Sequence, residues 1–550
     1  MRVLLALLSL VPALLPALAH AGALDDPLDL LWGNRMRFAQ DGSPLVTVRI
    51  DEGKDELSVL AQGAIRISSV GPEAKVLLGD AGERWRFRIR GGVAAELGYA
   101  VQVADLSFGH EEAVRAVVER WEGRGFDPRL VTVGGVFGIA GRVIDNRRYA
   151  VLLGAPGGRA SAEKLLEEVR SSFGEASVLY TELVRRPRGE VEIYDPAGRL
   201  VGVSAGAAVI EAEGKRGITV LQVEHDQGYA SHGRSDRSYR GQVVITVDAG
   251  GKAAAVSVLP MEELLRGIVP SEIFASAPSE ALQAQAVAAR GEVLAKIGVR
   301  HRADPYLLCP EQHCQVYKGL SGEHRRTDEA IALSRGEVLF GHSGRLVDSV
   351  YSSTCGGHTE NNEIVWGTPP DPNLRGVPDW IGHPELQRFE EKVSRQDVAA
   401  FIDARIPGMC AQASFSRADK FRWERRFSAA ELNGLVAGLG VGKVISLVPG
   451  GVGVSGRAST LSITGTAGAA TVEGELVIRR LLKNLNSSLF VIEREGPEDG
   501  PATAWVFRGG GWGHGVGMCQ MGAIGRAEAG HDHAAILRHY YNGAELFRIY

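Results

Sequence analysis

Polar and apolar positions alternate in the stretch from residue 22 to about 97. Val46-Thr47-Val48-Arg49-Ile50 and Arg84-Trp85-Arg86-Phe87-Arg88-Ile89 each place apolar side chains on one face, the period of a half-buried strand. A β-rich module over 22–97 is the expectation, and it carries no catalytic cluster. From Gly98 the period switches back and forth. Strands are predicted at 99–106, 129–133, 148–153 and 177–183, and amphipathic helices at 111–121 and 161–173. Ser161 is the expected N-cap of the second helix. That βαββαβ order predicts a ferredoxin-like sandwich over 98–188, with two helices on one face of a four-stranded sheet. Strands return from Gly189 to Leu259. A short helix then ends at Gly267, a tight Pro270-Ser271-Glu272 turn follows, and a second helix runs from about Pro278 to Lys296. The expected fold class is multidomain α+β, with the last unit spanning 189–550.

The first twenty-one residues stand apart. Met1-Arg2 lead into an apolar run from Val3 to Ala19, and Ala19-His20-Ala21 places small residues at a cleavage site. This predicts a secretory signal peptide over 1–21 and an exported protein of the periplasm or cell wall. Pro12, Pro16 and the short run argue against a membrane anchor. No later stretch reaches ~18 apolar residues, so no transmembrane segment is expected in the mature chain.

Composition narrows the classes further. The chain has 550 residues, 45% hydrophobic and 23% charged, which is enough for several cores and excludes disorder as its dominant state. With 61 basic against 66 acidic residues the net charge is −5, so nucleic acid held by bulk positive charge is excluded.

Chemistry concentrates after residue 259. Glu272 lies between Pro270 and the apolar Ile273 and Phe274, surroundings that can raise a carboxyl pKa and suit a general acid. The other reading of the same residues is a helical turn capped by Ser271, with Glu272 complementing its dipole. The following helix is rich in alanine and presents Gln285 and Arg290. Cys309, His313 and Cys314 fall within six residues, and His301 precedes them as a fourth candidate. This spacing suits tetrahedral zinc, and in an oxidising compartment it equally suits a Cys309–Cys314 disulfide. Cys355, Cys410 and Cys519 are scattered, so at least one thiol is left unpaired. Two glycine-rich stretches, 351–361 and 507–523, hold His358 and His514. Trp366 and Trp512 supply flat faces on which a sugar ring can stack. Neither stretch is a phosphate-binding loop, because no Gly-Lys-Ser/Thr follows.

Tyr99-Ala100-Val101-Gln102-Val103 and Arg148-Tyr149-Ala150-Val151-Leu152-Leu153-Gly154 resemble the two half-openings of a SPOR domain. That resemblance implies binding of peptidoglycan glycan strands stripped of stem peptides. The larger part of the chain, 190–550, resembles the SpoIID/LytB family (stage II sporulation protein D). The matching stretches are Leu259 to Leu264, Val269-Pro270-Ser271-Glu272, Ala284 to Arg290, His313 to Tyr317, Ser352 to Asn361 and Gly511 to Met518. The resemblance implies a lytic transglycosylase acting on peptide-free glycan, with Glu272 as catalytic acid. It implies a structural zinc on Cys309, His313, Cys314 and His301, and no cofactor for catalysis. Arg290, Gln315, Tyr317, Ser353, His358, Thr359 and His514 are then expected to line the cleft, beside Gln285 and Trp512. The family also contains amidase enhancers, so an N-acetylmuramyl-L-alanine amidase is an alternative partner. A third reading, a zinc-dependent envelope hydrolase, would use His358, Glu360 or His514.

Overall fold

Strands from two distant stretches of the chain interleave to build a pair of sheets. The computed structural model describes residues 26–550 apart from 34–35, 73, 140, 174, 176, 215, 227–231, 312, 405 and 499, so the expected signal peptide lies outside the described residues. One sheet has the order Arg37–Phe38, Pro44–Lys54, Ala253–Pro260, Gln242–Val247, Ala207–Ala212, Ile65–Ser69, Val76–Gly79. The other has the order Leu200–Ala205, Arg188–Tyr194, Arg84–Val93, Glu56–Ala61, Ile218–His225, Gly233–Tyr239.

The 22–97 stretch is therefore not a module of its own, and the expected boundary at 189 falls inside a shared β unit. Alternation along a strand says which face is buried, not which strand lies beside it. Val46, Val48, Ile245 and Ile210 of the first sheet share a core with Phe87, Val191, Val59 and Ile218 of the second. Residues of the opposite parity, such as Val244 and Val256, face the short helix Pro27–Trp32 through Leu30, Leu31 and Trp32.

Between Val93 and Arg188 the chain makes the βαββαβ unit. Its sheet has the order Val178–Arg185, Glu96–Ser107, Arg148–Gly157, Pro128–Val133, with every pair antiparallel. The helices Glu111–Glu122 and Arg159–Phe173 both pack on the face formed by Val101, Val103, Val151 and Leu153, where Trp121 and Val169 are fully buried. The second helix begins two residues before Ser161, which therefore lies inside it and is not its cap. An additional hairpin, Val136–Ile139 with Arg142–Asp145, interrupts the unit and sends Ile139 and Ile144 into the main core. The other sheet face meets the segment after residue 296: Val299 packs on it, and the Arg302 guanidinium lies 4.2 Å from the Tyr180 ring centroid. Asn146 donates to the carbonyls of Leu294 and Ile297, both at 2.8 Å.

Two helices follow the β unit, a glutamate helix (Met261–Glu272) and an alanine helix (Ser279–Lys296). The alanine helix is buried on nearly every side, as expected of one with no polar face. Arg290 at its middle is wholly buried and grips Glu262 of the glutamate helix through two 2.9 Å bonds, while its remaining nitrogen donates to the Glu337 carbonyl at 2.8 Å. Tyr550 donates to the same carboxylate at 2.6 Å. Toward the C-terminus, two three-stranded sheets share a core that includes Phe427, Ile463 and Phe507, and Glu545–Arg548 closes the chain against Glu337–Phe340.

Arg290→Met strands Glu262 as a buried unpaired charge, and it is expected to cost about 3–5 kcal/mol. The denaturation midpoint should drop accordingly, and the double variant Glu262→Leu/Arg290→Met should recover most of the loss.

Candidate functional site

Glu272 is the last residue of the glutamate helix. The expected break at Gly267 does not occur, and the helix runs on through Pro270. Gly267 is needed because a Cβ there would sit 2.5 Å from Cε2 of Tyr317, whose ring packs on bare backbone. Pro270 cannot donate to the preceding turn, but the helix has only two residues left to run. Ser271 Oγ donates to the Gly267 carbonyl at 2.9 Å, and the Ile273 N–H closes on the Val269 carbonyl at 3.1 Å. Glu272 thus stands at a helix C-terminus, where the dipole opposes a negative charge, so the capping reading does not hold.

The carboxyl is half-buried and accepts a 3.0 Å bond from the Val316 N–H at Oε1. Burial pushes it up to about 7; the Val316 bond and the Lys296 and Lys318 charges oppose the rise, and Glu292 adds to it. At neutral pH such a group carries its proton much of the time and can still release it. Glu292 is the second carboxylate here, and no motif marks it out. It pairs with Lys296, whose Nζ also donates to the Cys314 carbonyl at 2.5 Å.

A polar floor lies beneath Glu272. Gln520, first residue of the helix Gln520–Glu528, donates from Nε2 to the Glu272 carbonyl at 2.9 Å and to Gln285 Oε1 at 3.1 Å. Tyr351 donates to Gln315 Oε1 at 2.8 Å, and Gln315 donates onward to the Ala289 carbonyl at 2.9 Å. The Tyr351 phenol feels the charges of Glu272 and Glu292. Gln285 and Gln315 are therefore brought to the site, and Tyr351 and Gln520 join them. Those two lie more than 75 residues from Glu272 in sequence, beyond the reach of any local spacing.

The loop 511–517 crosses nearby. Trp512 and Thr354 exchange backbone bonds at 2.8 and 3.2 Å, and the Ser353 carbonyl accepts from the Met521 N–H at 3.0 Å. Gly515 has φ +81°, and a Cβ on it would fall 2.4 Å from the Arg457 guanidinium carbon, so only glycine fits. His514 is half-buried, with its ring 5.2 Å from that of Trp366. Burial, with the charges of Arg479 and Arg457, pushes it down to about 3, so it is neutral at physiological pH. Its Nδ1 accepts from the Val516 N–H at 3.0 Å, which leaves the ring proton on Nε2. Trp512 is 37% exposed, and Lys420 Nζ lies 3.0 Å from its ring centroid, a cation–π contact.

Four expected cleft residues are packing groups instead. Arg290 is sealed in its ion pair, and Tyr317 is buried against Gly267 and Tyr239. His358 is fully buried, its Nδ1 2.7 Å from the Thr359 carbonyl oxygen and its Nε2 3.1 Å from that of Glu390. Thr359 exchanges bonds with the backbone of Val377. Glu360, offered by the hydrolase reading, is likewise enclosed, accepting from Ser455 Oγ at 2.7 Å and from the Val454 N–H at 3.0 Å. The segment from Thr354 to Glu360 is buried throughout, so its polar side chains serve the interior.

His301, Cys309, His313 and Cys314 do converge, and their donor atoms lie within 4.8 Å of one another. Cys309 Sγ and Cys314 Sγ are 2.9 Å apart, well beyond the ~2.05 Å of a disulfide. His313 Nδ1 lies 3.5 and 3.6 Å from the two sulfurs, and His301 Nε2 lies 3.3 Å from Cys314. His301 takes a left-handed backbone, φ 51°, uncommon for a residue with a Cβ. Asp304 bonds its Nδ1 at 2.9 Å and fixes the ring, a usual support for a metal-ligating histidine. This donor set could hold a metal. The loop is stapled to the first sheet: Leu307 and Leu308 donate to the Thr47 carbonyl, and Glu311 pairs with Arg49.

Gly267→Ala should drive a methyl into the Tyr317 ring and lower stability by about 1–3 kcal/mol, read as a shift in the denaturation midpoint.

Residues 249–340 match the family model described as Stage II sporulation protein, and residues 360–517 match a domain of unknown function (DUF8618). The stage II sporulation protein D of Bacillus subtilis (strain 168) is 29% identical over 308 residues, 53% of this chain and 76% of that one. The amidase enhancer of the same strain is 26% identical over 330 residues, 51% of this chain, and the match spans only 40% of that longer protein. An uncharacterized protein of Brachyspira hyodysenteriae (strain ATCC 49526 / WA1) is 24% identical over 392 residues, 69% of this chain and 92% of that one. Glu272 and the Cys/His cluster both lie inside the matched segment, so the chain carries a SpoIID-family domain over residues 249–340.

Proposed function

We propose that this chain is an exported peptidoglycan lytic transglycosylase. It cleaves the MurNAc–GlcNAc bond of peptide-free glycan strands and leaves 1,6-anhydroMurNAc ends. The observation that supports this most is Glu272 itself, a carboxyl with no ion-pair partner among the described residues, at a helix end, raised to about 7, above a floor of amides and a phenol. Hydrolysis of a glycosidic bond ordinarily employs two carboxyl groups. Here Glu292 is neutralised by Lys296, and the substrate supplies its own nucleophile. Glu272 gives its proton to the glycosidic oxygen as the C1–O bond breaks. The resulting carboxylate takes the proton of the 6-hydroxyl as O6 closes on C1. An internal hydroxyl has a high effective molarity, so no bound water need attack.

We assign zinc to His301, Cys309, His313 and Cys314. Four protein ligands leave no open position, so such an ion would fix the loop that carries Val316 to Glu272. The 98–188 unit, with its strand order and paired helices, is proposed as a SPOR-type domain that holds the same glycan.

A second reading draws on the amidase enhancer among the relatives. In it the chain binds glycan and stimulates an N-acetylmuramyl-L-alanine amidase without cutting sugar bonds.

Mass analysis of amidase-treated sacculi separates the two readings. The wild-type protein should release anhydro-muramyl products, and Glu272→Gln should release them about 10²–10⁴-fold more slowly. Intact glycan beside a faster partner amidase would establish the second reading. Because the first step needs the protonated form, kcat/KM should be level on the acid side of the Glu272 pKa, about 7, and fall about tenfold per pH unit above it.

A further inference from the structure

Three cysteines far apart in sequence meet in the interior. Cys355, Cys410 and Cys519 are each fully buried, and with Asp379 their donor atoms lie within 4.8 Å of one another. We propose that Cys355, Asp379, Cys410 and Cys519 form a second metal site, a tetrahedral Cys₃Asp centre for a zinc-class divalent ion. The thiols are thus not unpaired leftovers.

The geometry suits an ion better than a disulfide. Cys355 Sγ and Cys410 Sγ are 3.6 Å apart. Sulfurs bound to one tetrahedral zinc at ~2.3 Å stand about 3.7 Å from each other, whereas a disulfide needs ~2.05 Å. Three thiols cannot all pair, and any single disulfide would leave the third thiol and a buried carboxylate facing each other.

The surroundings are built as a ligand shell. Cys519 is the N-cap of the nine-residue helix Gln520–Glu528, and its sulfur accepts from the N–H groups of Cys355 at 3.1 Å and Gly522 at 3.3 Å. Asp379 accepts from the Cys410 N–H at 2.7 Å on Oδ2 and from the Tyr540 hydroxyl at 2.6 Å on Oδ1, so its carboxylate is oriented from both sides. A Cβ on Gly522 would lie 2.7 Å from Asp379 Oδ1, so the helix approaches on bare backbone.

Charge points the same way. Three thiolates and a carboxylate carry four negative charges, of which a divalent ion cancels two. Arg422, Arg457 and Arg526 all act electrostatically on this cluster, and the buried Nε atoms of Arg457 and Arg526 find no hydrogen-bond partner among the described residues. An anionic metal–thiolate centre gives those guanidinium groups their counter-charge. A neutral thiol cluster would not.

The four ligands come from four separate segments, and Cys519 precedes the Gln520 that holds the Glu272 carbonyl. The ion would clip those segments together beside the Glu272 site.

The test uses the full mature chain, purified anaerobically without chelating resin. Cys309→Ser/Cys314→Ser removes the first cluster's thiols and leaves the second site intact. This variant, loaded with zinc, should retain one equivalent per chain, and zinc-edge X-ray absorption should show three sulfurs at ~2.3 Å and one oxygen at ~2.0 Å. Loaded with cobalt(II), it should show tetrahedral d–d bands and strong thiolate-to-metal charge transfer. Adding Cys410→Ser should abolish both signals. If the first-cluster variant does not fold, the wild-type chain decides the matter: two zinc equivalents, falling to one in Cys410→Ser or Asp379→Asn, are expected. A folded first-cluster variant that takes up neither zinc nor cobalt overturns the proposal. So does a wild-type chain whose metal content is unchanged by Cys410→Ser, or one in which two of these three cysteines form a disulfide.

Discussion

The Arg290–Glu262 pair is the constraint on which the rest of this structure depends. A helix buried on nearly every side offers little surface to tell one orientation from another, since alanine packs much the same in every direction. The wholly buried charge of Arg290 changes that. Arg290 can be satisfied only where Glu262, the Glu337 carbonyl and Tyr550 converge, so the alanine helix is locked in rotation against the glutamate helix, the strand after it and the chain's last residue. Glu272 ends the glutamate helix ten residues after Glu262, so its position is inherited from that buried pair. Buried ion pairs are poor sources of net stability, and a role in selecting one arrangement suits this one better.

The site follows from what this scaffold withholds. Glu272 receives one backbone N–H and no guanidinium, while the carboxylates of Glu262, Glu292 and Glu363 all have cationic partners. Its high pKa comes from burial, which the single Val316 N–H and the Lys296 and Lys318 charges do not offset. His514, the titratable ring of the neighbouring loop, is neutral for a related reason: it is enclosed near arginines.

Much of the local structure could be read from the chain. The βαββαβ order was legible because each element is long enough to show its own period. The hairpin Val136–Ile139 with Arg142–Asp145 was not, since four-residue strands about a glycine show no clear alternation. Strand partners across 150 residues were equally invisible, which is why the boundary at 189 failed. Arg290 was misread as a cleft group although the signal was present: with no polar face on its helix, any charge there had to be buried and paired. His358 and Thr359 resembled site residues because glycine-rich loops suit both ligand contact and close backbone packing, and composition does not separate the two. Cys309 to Cys314 could be read as a cluster because spacing put the ligands together. Cys355, Cys410 and Cys519 could not, because only the tertiary fold does.

The interleaved sheets also set an order of events for the folding chain. Val93 pairs with Arg188, and Glu96 with Arg185, so the βαββαβ unit hangs from the ends of two neighbouring strands of one sheet. A chain that emerges N-terminus first presents the strands of 44–93, some already paired with one another, long before their further partners at 188–260 exist. The four strands and two helices of the intervening unit pair and pack among themselves, and their completion brings the two halves side by side. An insertion held in this way replaces a long floppy loop by a rigid one with closed ends. The paired strands Arg84–Val93 and Arg188–Tyr194 thereby gain their register from the element that separates them.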